Sequence, residues 1–333
     1  SHNCLAGTLM ELGKREAARR EFAAALEIKG SMAQRFPDVP EYQDRLATSH
    51  GNLASLFHQE GEREQAIDER KAELEVRKSL ARRFPDVPDY QSKLAGNRLL
   101  LGSQLKELGK RDAARQEYAT ALEILESLAK RFPEIPEYQK NLASSYNSLG
   151  DLLGEMGDRA SARKQYSATI DVIDDETKDT TLLVERARAY IGTEQWELAS
   201  SDWKRVIQQE PKWTSTAFVS FRDAQQWAQA AEFGLLLRDQ KPADSATWIR
   251  IASMVAATGN RTQYAEFCSQ MRQQFADSTN SLEVEKVIKV SVLLPDVVDP
   301  ETLPVGPLAK ALDDGTAPAW FVPWAWGTRA LLA

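Results

Sequence analysis

Sulfur and imidazole are scarce in this chain. Two cysteines and three histidines occur among 333 residues, which leaves little material for a thiol nucleophile, a disulfide framework or a histidine-rich metal site. Cys4 and Cys268 lie far apart and form no CxxC spacing, so each is expected to be a small buried residue rather than half of a redox or metal pair. Long apolar runs are also absent. No stretch approaches the ~20 residues needed to cross a bilayer, and no signal peptide opens the chain, so no membrane partner is expected for this segment and its expected location is cytoplasmic. An excess of one charge is missing too. Lys and Arg number 42 against 49 for Asp and Glu, giving a net charge of -7. The first 150 residues hold 23 basic and 23 acidic side chains, finely mixed. That pattern belongs to a solvated helix surface and offers no basic footprint for nucleic acid.

What the chain does have is repetition. Arg35-Phe-Pro-Asp-Val-Pro-Glu-Tyr-Gln43 returns as Arg83-Phe-Pro-Asp-Val-Pro-Asp-Tyr-Gln91 and as Arg131-Phe-Pro-Glu-Ile-Pro-Glu-Tyr-Gln139, each 48 residues after the last. Gly13, Gly61, Gly109 and Gly157 keep the same step, so four repeats are present, the first incomplete. Between these markers apolar residues recur at helical spacing. Leu149, Leu152, Leu153 and Met156 mark a first helix, helix A, before Gly157. Ala162, Tyr166, Thr169 and Ile170 mark a second, helix B, after it, as do Ala114, Tyr118, Ala121 and Leu122 one period earlier. Glycine at the A–B turn accepts positive φ without a side-chain clash. Pro37, Pro85 and Pro133 cannot continue helix B, whereas Pro40, Pro88 and Pro136 suit the first turn of the next helix A.

Leu149-Gly150, Leu153, Gly157, Ala162, Tyr166 and Ile170 resemble the tetratricopeptide repeat signature, and Leu101-Gly102, Leu105, Gly109, Ala114, Tyr118 and Ala121 repeat it. The resemblance implies an all-α fold: a right-handed superhelical solenoid of antiparallel helix pairs. The ordinary unit of that family has about 34 residues. The surplus here, placed away from the glycine turn, lengthens each helix by about two turns, or roughly 10 Å.

The second half changes character. All eight tryptophans follow residue 195, and the acidic run Asp171–Asp179 reads as a helix end plus a short linker. Beyond it, Ala187, Tyr190, Trp196, Ala199, Trp203, Val206, Ile207 and Pro211 resemble the tetratricopeptide pattern at ordinary length, with Trp196 and Trp203 expected in the core. Trp227, Ala230, Leu237 and Pro242 suggest another pair, and a more divergent one runs from Trp248 through Gly259 to Phe275. The expected organisation is residues 1–175 as four extended repeats and 176–333 as ordinary and degenerate repeats with a Trp/Pro-rich end.

Tyr264-Ala-Glu-Phe-Cys-Ser-Gln-Met271, Phe275, Val290-Ser-Val-Leu-Leu-Pro-Asp296 and the stretch Trp320 to Trp326, together with the long connectors, are similar to the repeat region downstream of the kinase domain in planctomycete-type bacterial serine/threonine kinases. No Gly-rich loop, strand lysine, HRD-type loop or DFG-type metal site occurs in these residues. Ser1-His-Asn-Cys-Leu5 aligns with Ser49-His-Gly-Asn-Leu53 inside a helix A, and Arg329–Ala333 reads as a helix in progress, so the chain is expected to be part of a longer protein.

The resemblance implies an inner groove lined by helix A, which on these positions means Asn3, Ser55, His58, Leu99, Ser103, Asn147 and Asp151. The expected partner is a protein or peptide, with self-association through open repeat ends as a further expectation. No catalytic residue, cofactor or metal ligand is expected: His2 and His50 occupy equivalent sites on different repeats, too far apart to share an ion, and carboxylate pairs such as Glu60 and Glu62 sit on charged, solvated helices. The two function classes left are a pure interaction scaffold and the regulatory or substrate-recruiting arm of a larger kinase.

Overall fold

The computed structural model describes residues 2–278 and 280–291, with 293, 294, 297, 298 and 303 beyond them. Among the described residues there are fifteen α-helices, one 3-10 turn and no strand. The chain is an all-α helical-repeat solenoid that divides into two compact units, Ser1–Gln195 and Trp196–Ala333. No described helix is long and apolar enough to cross a membrane.

The first unit contains α1 (His2–Glu11), α2 (Arg15–Arg35), α3 (Pro40–Glu60), α4 (Arg63–Arg83), α5 (Pro88–Glu107), α6 (Arg111–Arg131), α7 (Pro136–Glu155), α8 (Arg159–Asp171) and α9 (Thr180–Gly192). From α1 to α9 each helix packs against the next. The local signals act as the sequence suggests. Gly13, Gly61, Gly109 and Gly157 all adopt positive φ, between 70° and 85°. At Gly109 the chain closes a Schellman turn: Lys110 N–H donates to Leu105 C=O at 2.9 Å and Gly109 N–H to Lys106 C=O at 2.9 Å, which satisfies carbonyls that α5 leaves open. Pro40, Pro88 and Pro136 each occupy the first helical position, where a missing N–H costs nothing. α6 shows why these segments are helices. Ala114, Tyr118, Ala121, Leu122, Leu125 and Leu128 form one buried stripe, and the remaining face is charged. Helices of 20 or 21 residues recur from α2 to α7, against 10 to 14 in the second unit, a difference of about two turns.

The most repeated motif of the sequence is a structural clasp. Phe36, Phe84 and Phe132 pack on Tyr42, Tyr90 and Tyr138, with ring centroids 5.6, 5.8 and 6.2 Å apart. Arg35, Arg83 and Arg131 lie over the same phenylalanine rings. Gln43 and Gln91 donate to the last-turn carbonyls of Ala33 and Ala81, each at 3.1 Å. The arginine, phenylalanine and tyrosine of all three connectors, and the glutamine of the first two, thus close helix B onto the next helix A.

The acidic run 171–179 connects α8 and α9 within the first unit. Asp179 caps α9, accepting from the N–H groups of Thr181 and Leu182 at 3.0 and 3.2 Å. α9 packs on α7 and α8, so the first compact unit extends past residue 175 to Gln195.

The second unit contains α10 (Trp196–Gln209), a 3-10 turn (Pro211–Trp213), α11 (Thr214–Asp223), α12 (Trp227–Asp239), α13 (Ser245–Ala257), α14 (Arg261–Gln274) and α15 (Ser281–Ser291). Its core is aromatic: Trp203 is fully buried, Phe221 stacks on Phe233, and Trp248 packs against Phe267 and Phe275. Trp196 is only half-buried. The stretch Trp320 to Trp326, part of the resemblance noted above, lies outside the described residues. One expectation is corrected here. Cys268 is buried, but Cys4 is exposed, because the turns of α1 that face α2 are those of Ala6, Leu9 and Met10.

Candidate functional site

The 48-residue period makes each repeat a control for the others. In helix B the column Phe22, Arg70, Tyr118, Tyr166 is aromatic in three repeats and a guanidinium in one. The aromatic members are structural. A Cβ on Gly102 would stand 2.8 Å from the Tyr118 ring, and one on Gly150 would stand 2.7 Å from the Tyr166 ring, so glycine lets helix A close onto the ring. Burial raises the pKa of both hydroxyls above the usual tyrosine value, and the charge of Asp151 adds to the effect at Tyr166.

The second repeat solves the same packing problem with charge. Arg70, Glu73 and Arg77 replace the apolar or aromatic side chains found at 118, 121 and 125. Arg70 Nη1 donates to Glu73 Oε2 at 2.7 Å, and Arg77 Nε donates to Glu73 Oε1 at 2.6 Å. Their side chains are only 6%, 5% and 10% exposed. Arg77 also reaches Asp44 at 3.3 Å, and Lys93 bonds the other oxygen of Asp44 at 2.8 Å and Asp89 at 2.7 Å. Cations and anions alternate along this chain of six groups, which is how buried charge is tolerated. Helix A adapts to it. Where the other repeats carry Asn3, Leu99 or Asn147, this one carries Gly51, and a Cβ there would meet Glu73 Oε2 at 2.7 Å.

Without a ring at position 70, a cavity of about 230 Å³ remains between α3, α4 and α5. Ser55, His58 and Ser103, three of the expected groove residues, line it together with Gln59, Arg70, Leu100, Gln104 and Glu107. Arg70 is 5% exposed. Its Nη2 donates to Ser55 Oγ at 3.3 Å, and Ser55 donates to the Gly51 carbonyl at 2.9 Å. His58 faces Glu107 at 3.8 Å. The Nε of Arg70 and the Oε1 of Gln104 are themselves buried, with almost no accessible surface, and neither has a hydrogen-bond partner among the described residues.

The other four expected groove residues do not share this cavity. Asn3 is half-buried and donates to Ser49 at 3.4 Å, a distance at the limit for a hydrogen bond. Leu99 packs against the apolar core of the middle repeats. Asn147 is fully buried. It donates to the backbone carbonyl and the carboxylate of Glu185, both at 2.8 Å, and accepts from Thr169 at 2.9 Å. Asp151 accepts from the Tyr166 hydroxyl at 2.7 Å and from Arg188 at 2.8 Å. In the fourth repeat this face is therefore engaged by α9. The histidine pair behaves as periodic structure: His2 meets Glu21 at 2.6 Å and His50 meets Glu69 at 2.7 Å, with Arg98 and Glu117 in the same relation one period on. Arg70 and Gln104 were not among the residues read from the sequence. The signal was a charged residue standing in an aromatic column.

No family model matches the chain, and no curated protein is similar to it at a significant level. Solved structures resemble it. A crystal structure of BtubC from P. vanneervenii is 17% identical, with 79% of this chain and 91% of that one covered and a TM-score of 0.46. A tetratricopeptide repeat protein from Parabacteroides merdae is 13% identical, with 87% and 96% covered and a TM-score of 0.44. Pseudomonas aeruginosa PilF is 18% identical, with 77% and 96% covered and a TM-score of 0.44. At these values the likeness concerns fold alone, and the function has to be argued from the side chains of this chain.

Proposed function

We propose that the chain is a non-catalytic interaction scaffold that holds an extended or helical peptide along the helix A face of its first unit. The observation that carries this reading is the convergence of Ser55, His58 and Ser103 on one cavity floored by Arg70. A preformed pocket of this kind supports peptide binding because the protein side needs little further ordering. The test is selection from a displayed random-peptide library against the whole chain, followed by affinity measurement for an enriched sequence. Ser103→Tyr fills the cavity from α5 and is expected to weaken that peptide by about tenfold or more, which corresponds to about 1.4 kcal/mol. A selected peptide that binds the filled variant equally well would sink the proposal.

The kinase-arm alternative rests on the sequence resemblance. In the described part of that resemblance Tyr264, Phe267, Cys268 and Met271 are core residues, so they speak to the packing of α14. A kinase catalytic domain encoded in the same reading frame is the observation that would support that alternative.

A further inference from the structure

A rung of side chains joins successive helices A in the first unit. Between the third and fourth repeats it is a permanent ion pair: Lys106 on α5 bonds Glu155 on α7 at 2.7 Å. One period earlier the same two positions hold His58 on α3 and Glu107 on α5, 3.8 Å apart. One period earlier again they hold Met10 and Gln59, an uncharged pair. The middle rung is the one that keeps the carboxylate and lacks the lysine. An imidazole is charged only when protonated, and 3.8 Å is too long for a hydrogen bond. Among the described residues Glu107 has no other cation within ion-pair distance.

Glu107 and His58 both line the cavity between α3, α4 and α5. Their side chains are 41% and 39% exposed, so the carboxylate is within reach of a group that enters from solvent. The floor of the cavity does not repel a cation. Arg70 holds its charge against Glu73 at 2.7 Å, and the chain of six groups to which both belong is neutral as a whole. With Arg70 compensated, Glu107 gives the lining its net negative charge. The same wall has an apolar part. Leu100 is 52% exposed, where the other repeats carry Cys4, Asn52 and Ser148. Leu100, Ser103 and Glu107 follow one face of α5, about 10 Å from first to last. A lysine has the matching parts: a methylene stem that covers apolar surface and an ammonium that stays at the polar rim.

We propose that this cavity takes a lysine side chain from the bound peptide, with its ammonium on Glu107 and its stem along Leu100. The peptide then supplies the cation that Lys106 supplies one repeat on. This rests on the peptide-scaffold reading above and specifies which side chain the cavity selects.

The test uses the whole chain, labelled so that glutamate side-chain carboxyl carbons are observed by NMR, with the Glu107 signal assigned by its loss in Glu107→Gln. Three capped amino acids serve as probes: Nα-acetyllysine methylamide, Nα-acetylnorleucine methylamide, which keeps the stem without the ammonium, and Nα-acetylglutamate methylamide. The lysine probe is expected to shift the Glu107 signal saturably, at a midpoint about threefold or more below those of the other two, as befits a half-exposed ion pair. His58→Lys gives this rung the residue of the next one, so the pair closes within the chain, and the lysine midpoint is expected to rise by about threefold while the remaining spectrum shows the fold intact. Equal midpoints for the three probes, a preference for glutamate, or a lysine midpoint unmoved by His58→Lys would each overturn the subsite. If enriched library peptides lose affinity on Ser103→Tyr but carry no lysine at a fixed position, the scaffold reading stands and the subsite falls.

Discussion

Glu73→Ala is the most severe single test of the buried ionic triad. The substitution removes a carboxylate that accepts from Arg70 at 2.7 Å and from Arg77 at 2.6 Å, and it leaves both guanidiniums in place. Breaking a buried ion pair from one side costs about 3–5 kcal/mol because the remaining charge stays desolvated. Arg77 keeps Asp44 at 3.3 Å, so the lower end, about 3 kcal/mol, applies. For a unit of this size that is a fall in Tm of about 6–12 °C. The periodic control is a fivefold exchange that gives the second repeat the residues of the third: Gly51→Leu, Ala54→Gly, Arg70→Tyr, Glu73→Ala and Arg77→Leu. Replacing a buried ionic cluster by well-packed apolar side chains is neutral or stabilises by about 1–4 kcal/mol. Urea unfolding followed by circular dichroism measures both, and amide exchange in α4 checks that the loss is local, since a solenoid can open one repeat at a time. The reasoning is refuted if Glu73→Ala costs less than about 1 kcal/mol, a surface-pair value. It is equally refuted if the fivefold exchange is less stable than the single substitution.

Three other expectations follow from positions in the fold. Gly192→Ala places a Cβ about 2.3 Å from the Tyr166 ring and is expected to cost about 1–3 kcal/mol in thermal unfolding, whereas Gly154→Ala, with nothing within 4 Å, is expected to be neutral or stabilising. Gln225 holds φ +59° at the end of α11, where the long repeats use glycine, so Gln225→Gly is expected to raise the Tm of the second unit and Gly109→Ala, at φ +74°, to lower the stability of the first by about 1 kcal/mol. Burial opposes ionisation of Asp179, but Lys140 and the N–H groups of Leu182 and Thr181 outweigh it and hold this carboxyl below the usual range. Its folded pKa is depressed, so its contribution is complete at neutral pH and is lost as pH falls through that value. Asp179→Ala is expected to cost about 1 kcal/mol at pH 7, and the gap from wild type should close on acidification below about pH 4; a gap that persists there would contradict the assignment.

The helices were legible in the sequence wherever backbone chemistry decides the outcome. Glycine at positive φ, proline at the first helical position and a 3.6-residue apolar stripe are local facts, and Gly109, Pro88 and Tyr118 stand where those facts require. The surroundings of the expected groove residues were legible only in part, because direction along a helix does not reveal what lies opposite. Asn147 has the polarity of a groove residue, yet α9 brings Glu185 onto it, and α9 lies 38 residues away in sequence. Cys4 was misread for a related reason: its residue type suggests burial, but its position on α1 faces away from α2.

What the sequence does carry about the site lies in departures from its own period. Stability alone does not account for the triad of the second repeat, since Tyr118, Ala121 and Leu125 meet the same packing demand without desolvating a charge. Gly51 shows that the departure is built into both helices: the glycine in α3 and the glutamate in α4 fit each other and fit no other repeat. An ionic core of this kind excludes the aromatic ring that would otherwise fill the space, and the consequence is a polar cavity at a defined place in an otherwise regular stack. The fivefold exchange therefore tests the cavity as well as the triad. A variant that gains the apolar packing must lose the cavity, and a selected peptide that binds that variant as tightly as wild type would show that the site is elsewhere.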